Sequence, residues 1–298
     1  MGRSHSSALD PIAILDALGF PGPARTTPVT GGLDAAIWKV ERGAETYALR
    51  VLRPEQAPVA KREAAAMATA SAAGLPVPRV HAAGSWRDRP AMLLDWCPGR
   101  PVADELPTHP WRAWTLGFQM GRTQAAIHDL AVPDAFAETT SWRNLSGENA
   151  RLQAWLDRVP ARAPALLHLD YHPLNVLADG ARLSAVLDWA NARPGDPRAD
   201  LARTVSILRL APLPVGPVGA AARGTIRLLE AGWRRGYEQT AGPMGDMRPF
   251  YAWAGAMMER DLAQHVGHPG AAWLTEAHMD RIRRWRARWM ARADEAKD

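Results

Sequence analysis

The stretch from His168 to Trp189, HLDYHPLNVLADGARLSAVLDW, restricts the folding of this chain more than any other. Two apolar runs flank the turn pair Asp179 and Gly180, a pattern that predicts a short hairpin joining Asn175 to Asp188. Such a hairpin lets Asp170, Asn175 and Asp188 converge on one small volume. Two carboxylates and a neutral amide are hard oxygen ligands, suited to magnesium with a phosphate rather than to zinc.

The same stretch carries a rival reading. His168, Asp170 and His172 stand at alternate positions, so an extended strand would turn all three to one side, as the zinc ligands of a metal-dependent hydrolase. Pro173 interrupts that strand, and no H-x-x-E-H or C-x-x-C elsewhere completes a zinc shell. Each histidine taken alone also fits a side chain that satisfies buried backbone groups.

The chain is long enough, at 298 residues and 47% hydrophobic, for one large domain or two lobes with a real core. Its single cysteine, Cys97, excludes an intrachain disulfide, and no apolar run reaches the roughly 18 residues of a membrane span. A cytoplasmic protein without membrane contact is expected, and the abundance of Ala, Arg, Pro and Trp suits a bacterial source. The net charge of +5 invites a nucleic-acid partner. Yet the densest basic run, RIRRWRARWMAR, spaces Ile282, Trp285 and Trp289 as one face of an amphipathic helix, so a packed C-terminal helix is expected and no nucleic acid.

Two differently built parts follow from the local patterns. AAIWKV and TYALRVL, separated by ERGAE, read as antiparallel strands, and KREAAAMATASAAG reads as a helix closed by Gly74. VPRVHAAG and RPAMLLDW read as two further strands, whereas from Leu116 onward the periodicity is mostly helical. The proline and glycine of Cys97–Gly99 make a natural connector. The expectation is an α+β chain, with a small antiparallel-sheet lobe over residues 1–97 and a larger helical lobe over 98–298.

Phosphoryl transfer requires metal to neutralise phosphates, a carboxylate at the attacking hydroxyl and a cation on the nucleotide. An aspartate, an asparagine five positions later and a further apolar-flanked aspartate follow the order used by protein kinases. In this chain the stretches are HLDYHPLNVL and VLDWA. They resemble the aminoglycoside phosphotransferase family, the small-molecule branch of the bilobal protein-kinase-like fold. The likeness runs from about Pro28 to Ala202 and takes in GGLDAAIWKV, YALRVLRP, LLDWCPG and GDPRADLA.

That resemblance implies a set of roles. Gly31 and Gly32 would let a loop close over the phosphates, and Arg50, where a lysine is commoner, would contact them while paired with Glu63. Asp95 and Cys97 would offer backbone groups to the base behind Leu94. Asp170 would receive or orient the acceptor proton, Asn175 and Asp188 would hold two magnesium ions, and Asp200 and His168 would brace the loop. The implied activity is direct transfer from ATP or GTP to a hydroxyl of an antibiotic or metabolite, by a monomer or homodimer. A catalytically silent nucleotide-binding module is the alternative, with the metal-dependent hydrolase third. Residues 201–298 hold 15 Arg plus Lys against 10 Asp plus Glu, the wrong balance for a dedicated polycation site. Trp142, Trp233, Trp253 and Trp273 could wall an acceptor, though helical spacing favours the core for them.

Overall fold

The structure, a computed structural model, describes residues 9–29, 35–268 and 271–295. Helix α1 (Pro11–Ala17), capped by the Asp10 side chain on the amides of Ile12 and Ala13, precedes strands β1 (Arg25–Val29), β2 (Ala35–Arg42) and β3 (Glu45–Leu52). Helix α2 (Ala57–Ala72) then leads to β4 (Val80–Trp86) and β5 (Arg89–Asp95). The five strands form one antiparallel sheet in the order β1-β2-β3-β5-β4. Helix α1 and strand β1 lie outside the elements expected from sequence. The latter has no buried residue and so gives no alternating signal.

Strand alternation decides what faces the cleft. Tyr47, Leu49 and Val51 point to one side of β3, into a small core with Ile14 and Leu15 of α1. Ala48, Arg50 and Leu52 therefore point to the other, where Leu52 joins Met92, Leu94 and the α2 residues Ala60, Met67 and Ala70 in the main core. On α2 those positions recur every three or four residues, and Glu63 falls inside the stripe with no solvent exposure. A carboxylate there needs a partner, and Arg50 is the side chain that β3 presents. The helix ends as expected, with Gly74 at φ +74 and the Leu75 amide returning to Ala70 O at 3.0 Å.

The rest of the chain supplies β6 (Arg100–Pro101), α3 (Val102–Glu105), α4 (Ala113–His128) and α5 (Ala150–Arg158). Next come β7 (Ala165–Leu167), the hairpin β8 (Val176–Asp179) and β9 (Arg182–Val186), and β10 (Arg193–Gly195). Helices α6 (Pro197–Leu210), α7 (Gly216–Ala241), α8 (Arg248–Ala263) and α9 (Glu276–Glu295) complete it. Gly180, at φ +62, turns the hairpin as its sequence predicts. In α9 Ile282 is fully buried and Trp285 and Trp289 pack against the core, while Arg283, Arg284 and Arg288 are exposed or nearly so. No helix among the described residues is long and apolar enough to cross a membrane.

Helices α4 and α7 approach closely through glycines. A Cβ on Gly121 would stand 2.0 Å from Trp233 O, and one on Gly236 would stand 2.1 Å from Phe118 O. Gly117 and Gly232 make the same kind of contact, so four glycines form one seam. Gly121→Val should lower unfolding free energy in chemical denaturation by roughly 3 kcal/mol, because backbone on both helices must move. Gly224→Ala on the same α7, with nothing within 4 Å of its new Cβ, should instead raise it by about 0.5–1 kcal/mol.

Candidate active site

The loop after β7 is shaped by a carboxylate that never reaches solvent. Asp200, in the first turn of α6, is fully buried and accepts from the amides of His168 at 3.1 Å and Leu169 at 2.6 Å. His128 Nε2 lies 2.9 Å from the same carboxylate, with its other ring nitrogen 2.9 Å from the Tyr237 hydroxyl. Burial works against the charge on Asp200, but His128 outweighs it and holds the acid below its ordinary value. The bonds fix Leu169 at φ +62, a conformation that costs a non-glycine residue on the order of 1–3 kcal/mol. Arg203 Nε, donating to Leu169 O at 3.2 Å, closes the clamp.

Asp170 emerges from that clamp. Asn175 Nδ2 donates to its main-chain oxygen at 3.0 Å and to Oδ2 at 2.9 Å, while His172 Nε2 and Arg203 Nη2 lie 3.4 and 3.9 Å from Oδ1. Burial opposes the charge, yet His172 and Arg203 prevail and hold this carboxyl well below the usual range. The Asn175 amide spends its NH2 on Asp170, and its Oδ1 accepts no hydrogen bond among the described residues.

The Leu187 amide donates to Asn175 O at 2.7 Å, so the hairpin does seat Asn175 beside the segment that carries Asp188. Asp188, at φ +60, presents a half-exposed carboxylate with Oδ1 3.4 Å from Arg50 Nη2. Arg50 also donates through Nη1 to Glu63 Oε1, which accepts from the Trp189 amide at 3.2 Å. Burial pushes Glu63 up, whereas Arg50, opposed by burial but faced by two acids, is raised. One guanidinium thus ties β3, α2 and the Asp188 segment together.

Other expected residues fall as follows. Leu94 is buried opposite Ala48, and the Asp95 carboxylate meets His81 Nε2 at 2.6 Å and the Arg79 amide at 3.0 Å. The Cys97 thiol lies 4.0 Å from Asp95 O, and burial followed by the Asp95 charge pushes it up to about 11, which disarms it as a nucleophile. Gly31 and Gly32 lie outside the described residues. His168 leaves the zinc reading: Nε2 faces Leu187 O at 3.0 Å and Nδ1 accepts from the Asp170 amide at 3.3 Å, so both nitrogens serve the backbone. No group of three or more His, Cys, Asp and Glu suited to a metal occurs among the described residues. Trp142, Trp233 and Trp253 are core, and Trp273 is half exposed.

Sequence reasoning missed Arg203 and Arg193, whereas Asp261 was among the acids it allowed in the cleft. The first had a signal, its place one helical turn after Asp200 and hence on the same face of α6.

The fold and this arrangement are those of the kinase-like enzymes that act on small molecules. Residues 25–239 match the model of the phosphotransferase enzyme family, and the chain belongs to that family. Among solved structures it is similar to an amicoumacin kinase, hAmiN, in complex with AMP-PNP, Ca2+ and Ami, at 13% identity over 98% of this chain and 96% of that one, TM-score 0.69. It is also similar to a Ralstonia eutropha JMP134 protein provisionally called an aminoglycoside phosphotransferase, at 19% identity over 95% and 97%, TM-score 0.66. A thermostable mutant of aminoglycoside phosphotransferase APH(4)-Ia, in ternary complex with AMP-PNP and hygromycin B, gives 17% over 91% and 96%, TM-score 0.64. At such identities the likeness is one of fold. A comparison with curated proteins found no match.

Burial holds His168 neutral, its pKa pushed below the ordinary value against the pull of Asp200. A histidine depressed in the folded state adds stability that is full above its unfolded pKa, about 6.5, and is lost as pH falls from there toward the folded value. The unfolding midpoint should therefore drop from pH 7 to pH 5. A His168→Asn protein, less stable throughout, should show a shallower drop by scanning calorimetry.

Proposed function

We propose that this protein transfers the γ-phosphate of ATP or GTP to a hydroxyl of a small antibiotic or metabolite. The observation that carries the reading is the Asp170–Asn175 pair, joined by the backbone bond from Leu187 to Asn175 to the segment on which Asp188 meets the Arg50–Glu63 pair. Residues 1–97 would hold the nucleotide, with Gly31 and Gly32 over its phosphates, Arg50 beside them, and the backbone of Asp95 and Cys97 on the base behind Leu94. Residues 98–298 would hold the acceptor. The similar structures in complex with AMP-PNP and hygromycin B, and with AMP-PNP, Ca2+ and Ami, suit a cleft of this kind.

Hard oxygen donors suit Mg2+, and the unspent Asn175 Oδ1 and half-exposed Asp188 carboxylate are the groups that would hold it. When bound, the metal would neutralise charge on the phosphates. The chain's own groups do the rest. Asp170 orients the acceptor hydroxyl, whose oxygen forms the new bond to the γ-phosphorus as the bond to the β,γ-bridging oxygen breaks. A carboxyl held so acidic accepts the proton only as the attacking oxygen loses its electrons, so its first contribution is alignment. Arg50, fixed by Glu63, supplies a planar fork where a lysine would supply a point charge.

The test is transfer of labelled γ-phosphate to a panel of hydroxyl-bearing antibiotics and metabolites. Asp170→Asn should lower kcat by about 10²–10⁴ with the nucleotide KM little changed, and Asp188→Ala should abolish transfer. An Asp170→Asn protein as fast as its parent would contradict the reading. Arg50→Lys should keep activity but raise the nucleotide KM, since one amine cannot reach both carboxylates in the same geometry.

A further inference from the structure

Arg203 stands at the Asp170 oxygen away from Asn175, and it and Arg193 are two nearly buried arginines with little to bond to. Arg203 is 6% exposed, and the one hydrogen bond its guanidinium makes among the described residues is from Nε to Leu169 O. Its Nη2 stands 3.9 Å from Asp170 Oδ1 and 3.7 Å from Asp261 Oδ2, beyond hydrogen-bond range, and Nη1 is buried with no partner. Arg193, 7% exposed, likewise donates only from Nε, to Asn191 O at 3.1 Å. It feels the charges of Arg62 on α2 and Asp261 on α8, and burial followed by Arg62 pushes its pKa down to about 10. The Nε of Arg62 is also buried without a partner.

Buried guanidinium groups are ordinarily saturated, because each unspent donor carries a desolvation cost. Here α6 brings such a group to the flank of Asp170, and Asp261 of α8, which Arg203 Nη2 approaches, is also the acid whose charge acts on Arg193 of β10. Asp261 is itself raised, by burial and then by Asp170 despite Arg203, and its Oδ2 stays 3.7 Å from Arg203 Nη2, beyond hydrogen-bond range. Arginine forks match the planar oxygens of carboxylates and phosphates.

We propose that the acceptor carries an anionic group, a carboxylate or a phosphate, which Arg203 and Arg193 bind while its hydroxyl faces Asp170. This rests on the phosphotransferase reading and deepens it. A polycationic acceptor would meet these arginines as like charges, and an uncharged one would leave their donors unspent.

Glycerate and glycerol 3-phosphate, each beside its uncharged counterpart glyceramide or glycerol, and kanamycin as a polycation, test it. Each is added to the full chain loaded with Mg2+ and AMP-PNP, and the unfolding midpoint is read. The anionic member of at least one pair should raise the midpoint and, with ATP, be phosphorylated with kcat/KM at least ten times that of its counterpart. In Arg193→Gln that preference should fall to about one, with the shift caused by nucleotide alone unchanged. Arg203→Lys, which keeps a charge beside Asp170, should retain part of the preference. If nucleotide-loaded protein takes none of the anions, or takes uncharged or cationic acceptors as well, the inference fails and the kinase reading stands. If the parent shows no response to nucleotide, both fall together.

Discussion

The active site hangs on Asp200. Its buried carboxylate is the reason a leucine can sit at φ +62 between β7 and the catalytic loop, since it takes the amides on both sides of the distortion. Without those two bonds the loop has no cause to turn there, and Asp170 would not be aimed at the Asn175 amide. The constraint reaches further back. His128 at the end of α4 and Tyr237 on α7 complete the carboxylate's surroundings, and those two helices are held together by the glycine seam. The glycines set the helices, the helices set His128, and His128 keeps Asp200 charged.

A second buried acid organises the other wall. Glu63 lies in the apolar stripe of α2, where burial makes its charge costly, and Arg50 answers it from the face of β3 that alternation turns inward. Because Glu63 also takes the Trp189 amide, the pair positions the Asp188 segment as well as the cation. Two isolated carboxylates in apolar surroundings, each with a partner from a distant part of the chain, thus bring sheet, helix and loop into register. The single main core, running from α2 and β5 into the helices, makes that register stiff.

Much of this was legible in the sequence. The Asp179–Gly180 turn between apolar runs fixed the neighbourhood of Asn175 and Asp188, and Pro173 rightly argued that His168 to His172 is no strand. The reading of TYALRVL as a strand also held, over Glu45–Leu52. What stayed hidden was what depends on long-range approach. Nothing local says that Gly117 and Gly121 meet Gly232 and Gly236, or that Arg203 of α6 stands between Asp170 and Asp261 of α8. Helical spacing favoured the core for four tryptophans, and Trp142, Trp233 and Trp253 are buried while Trp273 is half exposed. Strand β1 escaped because an edge strand with no buried face carries no period.

In the proposed function the walls built by Glu63 and by Asp200 enclose one site for a metal–nucleotide complex. Calorimetric titration of AMP-PNP into the parent protein, with and without Mg2+, tests it most directly. Saturable one-to-one binding is expected, requiring the metal and weakening sharply when Asn175 is replaced by alanine. Binding that ignores both the metal and Asn175, or no binding by folded protein, would contradict it.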